Sequence, residues 1–134
     1  MTPAGILETA LYATDLDAAE EFYATVLGLE REQRADNRHV FFRCGEGMLL
    51  IFNAAETTNA AGPLPVPTHG ASGPGHVCFR ASSDEIETWR LRLERHGVEI
   101  ESDFKWPNGA RSIYFRDPAG NSLEFSEPCL WGLK

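Results

Sequence analysis

The chain has 134 residues and a mass of 14.9 kDa, with 43% hydrophobic and 24% charged residues. That is the balance of one ordinary globular domain, and it excludes low-complexity and collagen-like chains. The formal net charge of −8, with lysine only at Lys105 and Lys134, excludes a basic stripe for nucleic acid. No apolar run approaches the ~20 residues of a membrane span. The opening MTPAGILETALYATDLD has no basic region ahead of an apolar core, so a cytoplasmic location with no membrane partner is expected. Cys44, Cys78 and Cys129 are odd in number and form no CxxC pair, which argues against a disulfide scaffold or a zinc ribbon.

In chain order, residues 6–13 (ILETALYA) read as a strand. A helix follows, with Asp17 and Glu20 spaced as a capping box and with Phe22, Tyr23, Val26 and Leu27 as its apolar stripe. Gly28 suits its C-terminal end. The charged stretch LEREQRA and the segment RHVFFRCGEGMLLIFN (38–53) then read as a strand followed by a strand, glycine turn and strand. Residues 56–74 have the Gly, Pro, Ala and Thr content of a linker. The order then repeats. Residues 75–81 read as a strand. Ser82 and Glu85 form a second capping box, with Ile86, Trp89 and Leu93 as the stripe and Gly97 at the end. VEIESDF and RSIYFRDPAGNSLEFS (111–126) complete the second copy, and Leu130 and Trp131 in the short tail suggest a packed end.

The repeat is explicit at an offset of 73. Arg38 aligns with Arg111, Phe42 with Phe115, Arg43 with Arg116, Gly47 with Gly120, Leu50 with Leu123 and Phe52 with Phe125. The expected fold is therefore α+β: two tandem βαβββ modules, about 6–55 and 75–128, in a single domain of residues 1–134. Neither module buries its sheet well alone. A shared curved mixed sheet, with helices on the convex side and a concave cup, resolves this.

Strand alternation assigns the faces. Leu123 and Phe125 point to the helices, which leaves Glu124 in the cup. Val77 and Phe79 likewise leave His76, Cys78 and Arg80 in the cup. Leu7 and Leu11 leave Glu8, Ala10 and Tyr12 there. Glu8 matches His76 at an offset of 68, and Ile51 matches Glu124 at 73. Two carboxylates and an imidazole from three strands suit one borderline or hard divalent ion, Fe, Mn, Co, Ni or Zn, with positions left open for substrate.

The segments LETALYATDLDAAEEFYATVLGLE, GPGHVCFRA and FRDPAGNSLEFSEP resemble the vicinal oxygen chelate superfamily, the glyoxalase/bleomycin resistance protein/dioxygenase group. The Asp15–Tyr23 spacing resembles its first helix, and Asp117–Asn121 followed by Leu123-Glu124 resembles its last hairpin. The resemblance implies metal ligation by Glu8, His76 and Glu124, with apolar Ile51 at the fourth position and Glu8 where His or Gln is common. It also implies a homodimer. The implied activity is metal chelation of adjacent oxygens on a small substrate and stabilisation of an oxyanion, as a lyase, isomerase or dioxygenase, with Glu8 or Glu124 moving the proton. The alternative is a non-catalytic, antibiotic- or small-molecule-binding protein.

Tyr12, Cys78, Arg80, Trp106, Asn108 and Arg111 are the expected substrate-binding residues. Trp106-Pro-Asn-Gly reads either as a loop over the cup mouth or as a plain turn. Arg111 reads either as a carboxylate clamp or as a structural residue shared with the first copy. His39, His69 and His96 receive no role, and no P-loop, dinucleotide-binding glycine pattern, HExxH or GxSxG is present.

Overall fold

The computed structural model describes residues 1–60 and 62–134. The chain divides into two compact units, Met1–Gly73 and Pro74–Lys134. Each contains a four-stranded mixed sheet with one parallel pair.

In the first unit, β1 (Glu8–Tyr12), α1 (Leu16–Glu21), β2 (Glu30–Ala35), β3 (His39–Cys44), β4 (Gly47–Phe52) and α2 (Ala54–Thr57) follow in order. The strand order is β1-β4-β3-β2, with β1 parallel to β4. The helix begins at Asp15, whose carboxylate accepts from the Ala18 amide at 3.0 Å. Asp17 is therefore not the cap. It pairs instead with Arg34. After α1 the chain continues as a π-helical turn over Phe22–Val26. Gly28 (φ 70°) then ends the helical run in the left-handed conformation that favours glycine. The stripe is the core of the unit: Phe22, Tyr23, Val26 and Leu27 are buried, and Tyr23 meets Phe42 edge-tilted at 5.6 Å. Leu7 does not join them. It precedes β1 and is 74% exposed, and burial in this segment starts at Leu11. Gly47 is required by proximity, because a Cβ there would lie 2.9 Å from the Leu7 carbonyl that β4 hydrogen-bonds through Met48.

In the second unit, β5 (His76–Arg80), α3 (Ser83–Arg95), β6 (Ser102–Lys105), β7 (Arg111–Arg116) and β8 (Ser122–Ser126) form the sheet β5-β8-β7-β6, again with one parallel pair. Ser82 and Glu85 make the expected capping box, with bonds of 3.2 and 2.7 Å. Ile86 and Leu93 are fully buried, and Trp89 stacks on Phe125 at 4.6 Å, so α3 covers the face carrying Ile113, Phe115, Leu123 and Phe125. The edge strand is shorter than VEIESDF suggests, since pairing begins only at Ser102. Pro128–Trp131 form a short 3₁₀ turn, but Trp131 is 78% exposed, so the tail does not bury its indole.

The two hairpins differ by one residue, and this corrects the repeat alignment. In the first, Cys44 pairs with Gly47, Arg43 with Met48, Phe42 with Leu49 and Phe41 with Leu50. In the second, Arg116 pairs with Ser122, Phe115 with Leu123 and Tyr114 with Glu124. The offset of 73 holds for β3 and β7 but becomes 74 for β4 and β8. The cause is the turn. Residues 45–46 close the first hairpin. The second uses Asp117–Asn121, where the Asp117 carboxylate accepts from the Ala119 and Asn121 amides and from the Asn121 side chain.

Candidate functional site

A one-residue slip in a strand moves every side chain to the opposite face. Ile51 therefore does not match Glu124. It is wholly buried opposite Val40, on the face that α1 covers, and Leu50 is the residue equivalent to Glu124. The match of Glu8 with His76 is consistent with the ladders, because Glu8 lies beside Met48 and His76 beside the equivalent Ser122.

In the second unit the face away from α3 carries His76 and Cys78 from β5, Glu124 and Ser126 from β8, and Ser112 and Tyr114 from β7. Parallel and antiparallel registers bring them together, with Cys78 and Tyr114 each directly beside Glu124. His76 Nε2 lies 3.3 Å from Glu124 Oε1. The imidazole is half exposed, and the carboxylate is buried, with 6% of its side chain exposed. The other ring nitrogen, Nδ1, lies 2.8 Å from the Ser122 carbonyl. A carbonyl only accepts, so Nδ1 carries the proton and donates, which leaves a lone pair on Nε2 when the ring is neutral.

Burial of the Glu124 charge is offset by donors. Ser112 Oγ donates to Oε2 at 2.6 Å, and both Ser112 and Ser126 are buried. Tyr114 also hydrogen-bonds Glu124. Burial first, and then that bond, push the phenol up to about 12. Desolvation, followed by the Glu124 charge and hydrogen bond, pushes the Cys78 thiol up to about 12 as well, so Cys78 is a neutral donor at pH 7 and not a thiolate nucleophile.

Glu8 opens β1 in the first unit and is exposed. Among the described residues, no group of three or more His, Cys, Asp or Glu side chains is placed to hold a metal ion, so within a unit the assembled donor pair is His76 and Glu124.

The expected substrate-binding residues divide. Tyr12 ends β1 with its hydroxyl 2.7 Å from His69 Nδ1, and Phe52 packs edge-on to the same imidazole at 4.6 Å. Arg80 donates to the Lys134 carbonyl. Trp106 donates its indole N–H to Ser112 at 2.8 Å. Asn108 is committed to the turn: its amide donates to the Leu130 carbonyl, and its oxygen accepts from the Ala110 amide. Arg111 lies on the α3 side of the sheet. It grips Asp103 with Nε and Nη2 at 2.9 and 2.7 Å, and Glu87 of α3 with Nη1 at 2.9 Å. Asp103 and Glu87 hold the guanidinium pKa above its ordinary value, and its donors are already matched to two carboxylates.

Ser112, Tyr114 and Ser126 were missed from sequence, although the signal was available. Ser112 and Tyr114 alternate with Ile113 and Phe115, as Ser122, Glu124 and Ser126 alternate with Leu123 and Phe125. His69 and His39 were also passed over. His39 stacks on Phe41 at 3.9 Å, and burial first, then Arg38, lower its pKa.

Residues 5–125 match the family model described as the Glyoxalase/Bleomycin resistance protein/Dioxygenase superfamily. The structure is similar to the crystal structure of lactoylglutathione lyase from Agrobacterium tumefaciens, with 48% identity, a TM-score of 0.95, and 99% of this chain and 100% of the other covered. It is also similar to a glyoxalase/bleomycin resistance protein/dioxygenase from Nocardioides, with 30% identity, a TM-score of 0.75, and 95% and 85% covered. An integron cassette protein from the mobile metagenome of Halifax Harbour Sewage Outfall matches at 26% identity and a TM-score of 0.74, with 93% and 99% covered. No curated protein matches the chain. No helix among the described residues is long and apolar enough to cross a membrane.

Proposed function

The chain belongs to the Glyoxalase/Bleomycin resistance protein/Dioxygenase superfamily, and from that premise we propose that it is a divalent-metal-dependent enzyme of the glyoxalase kind, acting on a small oxygen-bearing substrate. The observation that carries this reading is the His76–Glu124 pair. His76 Nε2 and Glu124 Oε1 face each other at 3.3 Å, while Nδ1–H is fixed on a backbone carbonyl. A lone pair facing a carboxylate needs a proton or a cation between them. A ring nitrogen anchored on a carbonyl is the usual support of a ligating imidazole. Imidazole and carboxylate donors fit Fe, Mn, Co, Ni or Zn.

His76 Nε2 and Glu124 Oε1 would hold the ion, and Glu8, which takes on β1 the place that His76 takes on β5, would be the third ligand. Such an ion supplies Lewis-acid polarisation of adjacent substrate oxygens. Glu124 keeps Oε2 bonded to Ser112, and Oε1 is the oxygen that faces His76. Exposed Glu8 is then the better placed to accept a substrate proton at its carboxylate and return it. Tyr12, Cys78, Arg80 and Trp106 would contact substrate, with Asn108 and Arg111 supporting the elements that carry them.

The similarity to a lactoylglutathione lyase over the full length of both chains supports a lyase or isomerase reading over a dioxygenase. A second reading, binding without turnover, draws on the apolar first-unit face, where Leu50 and Phe52 stand in place of Glu124 and Ser126. We further propose a cytoplasmic homodimer. Ile6 (88% exposed) and Leu7 are apolar residues left uncovered beside β1, an outer strand of its sheet. Sedimentation should give twice 14.9 kDa.

The deciding experiment is turnover of lactoylglutathione by metal-loaded protein. Formation or consumption that is lost in Glu8→Gln and Glu124→Gln supports the enzyme. Tight binding of the thioester with no turnover supports the binding protein.

A further inference from the structure

The least exposed polar side chain of the second unit is Ser112, which is wholly buried in β7. Its hydroxyl has the Trp106 indole Nε1–H at 2.8 Å, Glu124 Oε2 at 2.6 Å and Ser126 Oγ at 2.8 Å around it, and it hydrogen-bonds the Tyr114 phenol as well. The direction of these bonds follows from donor chemistry. An indole only donates and an ionised carboxylate only accepts. Ser112 has one proton, so it accepts from Trp106 and gives its own proton to Glu124. Ser126 Oγ lies 2.8 Å from Ser112 Oγ and 3.3 Å from the Arg111 carbonyl, so its one proton has two acceptors, Ser112 and that carbonyl. At 2.6 Å the bond to the carboxylate has the length of a charge-assisted one.

The outer end of the chain is also held. The Trp106 amide donates to the Ala110 carbonyl at 2.8 Å, and the Gly109 amide donates to the Trp106 carbonyl at 2.8 Å. Asn108 ties the same loop to the Leu130 carbonyl at 3.2 Å. The indole packs against Phe104 at 4.8 Å between centroids. The 106–110 loop is thus a folded bracket and presents one N–H inward.

We infer that Trp106 and Ser112 are positioning residues: through the chain indole N–H, serine O–H, carboxylate, they hold Glu124 with Oε2 bound and Oε1 presented toward His76 for a divalent cation. This rests on the reading of Glu124 as a metal ligand. The first unit has no such device, because His39 and Phe52 occupy the places of Ser112 and Ser126.

The test is calorimetric titration of Zn²⁺ into wild type, Ser112→Ala and Trp106→Phe, with indole N–H resonances recorded on the same samples. Ser112→Ala should weaken Zn²⁺ binding by about 10–100-fold, the usual effect of losing a group behind a ligand. Trp106→Phe keeps a ring against Phe104 and should weaken it less, and it carries this arm if Ser112→Ala does not fold. Affinities within about twofold of wild type in the folded variants overturn the inference. The Trp106 indole proton should be protected from exchange, unlike that of the exposed Trp131, and it should shift in Glu124→Gln. If wild type binds no Zn²⁺, the metal function falls, and the resonance decides alone: a shift in Glu124→Gln upholds the chain of bonds, and an unmoved Trp106 signal overturns it.

Discussion

The two units share a strand order, a parallel first pair and a helix-covered apolar face, yet their opposite faces differ in chemistry. The first presents Glu8, Leu50, Phe52, Phe41 and Tyr12, and the second presents His76, Glu124, Ser126, Tyr114 and Arg80 at equivalent places. The helix-covered face is constrained by packing, so both copies keep it apolar. The other face is free to diverge, and in the second unit it carries a buried carboxylate with matched donors. Duplication of a fold therefore need not duplicate a site.

The largest expected effect breaks the comparison at its register. Ile51→Glu buries an unpaired carboxylate beneath α1 and should cost several kcal/mol, with no recovery on adding divalent metal. Leu50→Glu places the same charge at the equivalent of Glu124, facing the side of Glu8, and its lowered melting temperature should recover in part with metal. Equal behaviour of the two variants in thermal melts would refute the 74-residue offset.

Glu124→Ala should cost about 1–3 kcal/mol without metal, because Ser112 and Tyr114 lose a buried acceptor. Leu50→Ala, its first-unit counterpart, loses apolar packing only, and urea melts of the pair separate polar from apolar contributions. Smaller still are the helix caps. Ser82→Ala should cost about 1 kcal/mol, and more than Asp15→Ala, since Ser82 shares a reciprocal box with Glu85 while Asp15 accepts a single amide bond in its own helix.

The smallest effect is one of pH. Arg90 and then Arg111 hold the Glu87 carboxyl down to about 2, below its ordinary 4.5. A depressed carboxyl contributes stability above the unfolded pKa and loses it as pH falls through the folded one. Wild type should therefore lose stability between about pH 4.5 and 2 more steeply than Glu87→Gln. Acid melts that superimpose for the two proteins would contradict this and show that the Glu87–Arg111 ion pair adds nothing.

Much of this architecture was legible in the chain. The repeat exposes both βαβββ patterns, and period-two alternation places Leu123, Phe125 and Ile113 on the core side, because those positions answer to burial alone. The missed features depend on details that alternation does not encode. Four residues lie between Arg43 and Met48 and five between the equivalent Arg116 and Ser122, a difference that an ungapped alignment hides, yet it moves Ile51 from the expected site to the core. Asp15 and Asp17 both suit a helix start, and Arg34 draws the second away. Arg111 suits a ligand clamp by composition, but its strand parity puts it against Glu87. Ser112 reads as an ordinary strand serine until Trp106 and Glu124 are seen on either side of it.

The most direct test of the second unit as the metal-binding half is elemental analysis of purified protein after exposure to divalent metals and removal of the excess. Wild type should retain one ion per chain, and at about 100 times the dissociation constant that ion should add about 2.7 kcal/mol of stability. His76→Ala and Glu124→Ala should retain none, while Leu50→Ala keeps its ion. A metal-free wild type, or full retention in both His76→Ala and Glu124→Ala, would contradict the assignment.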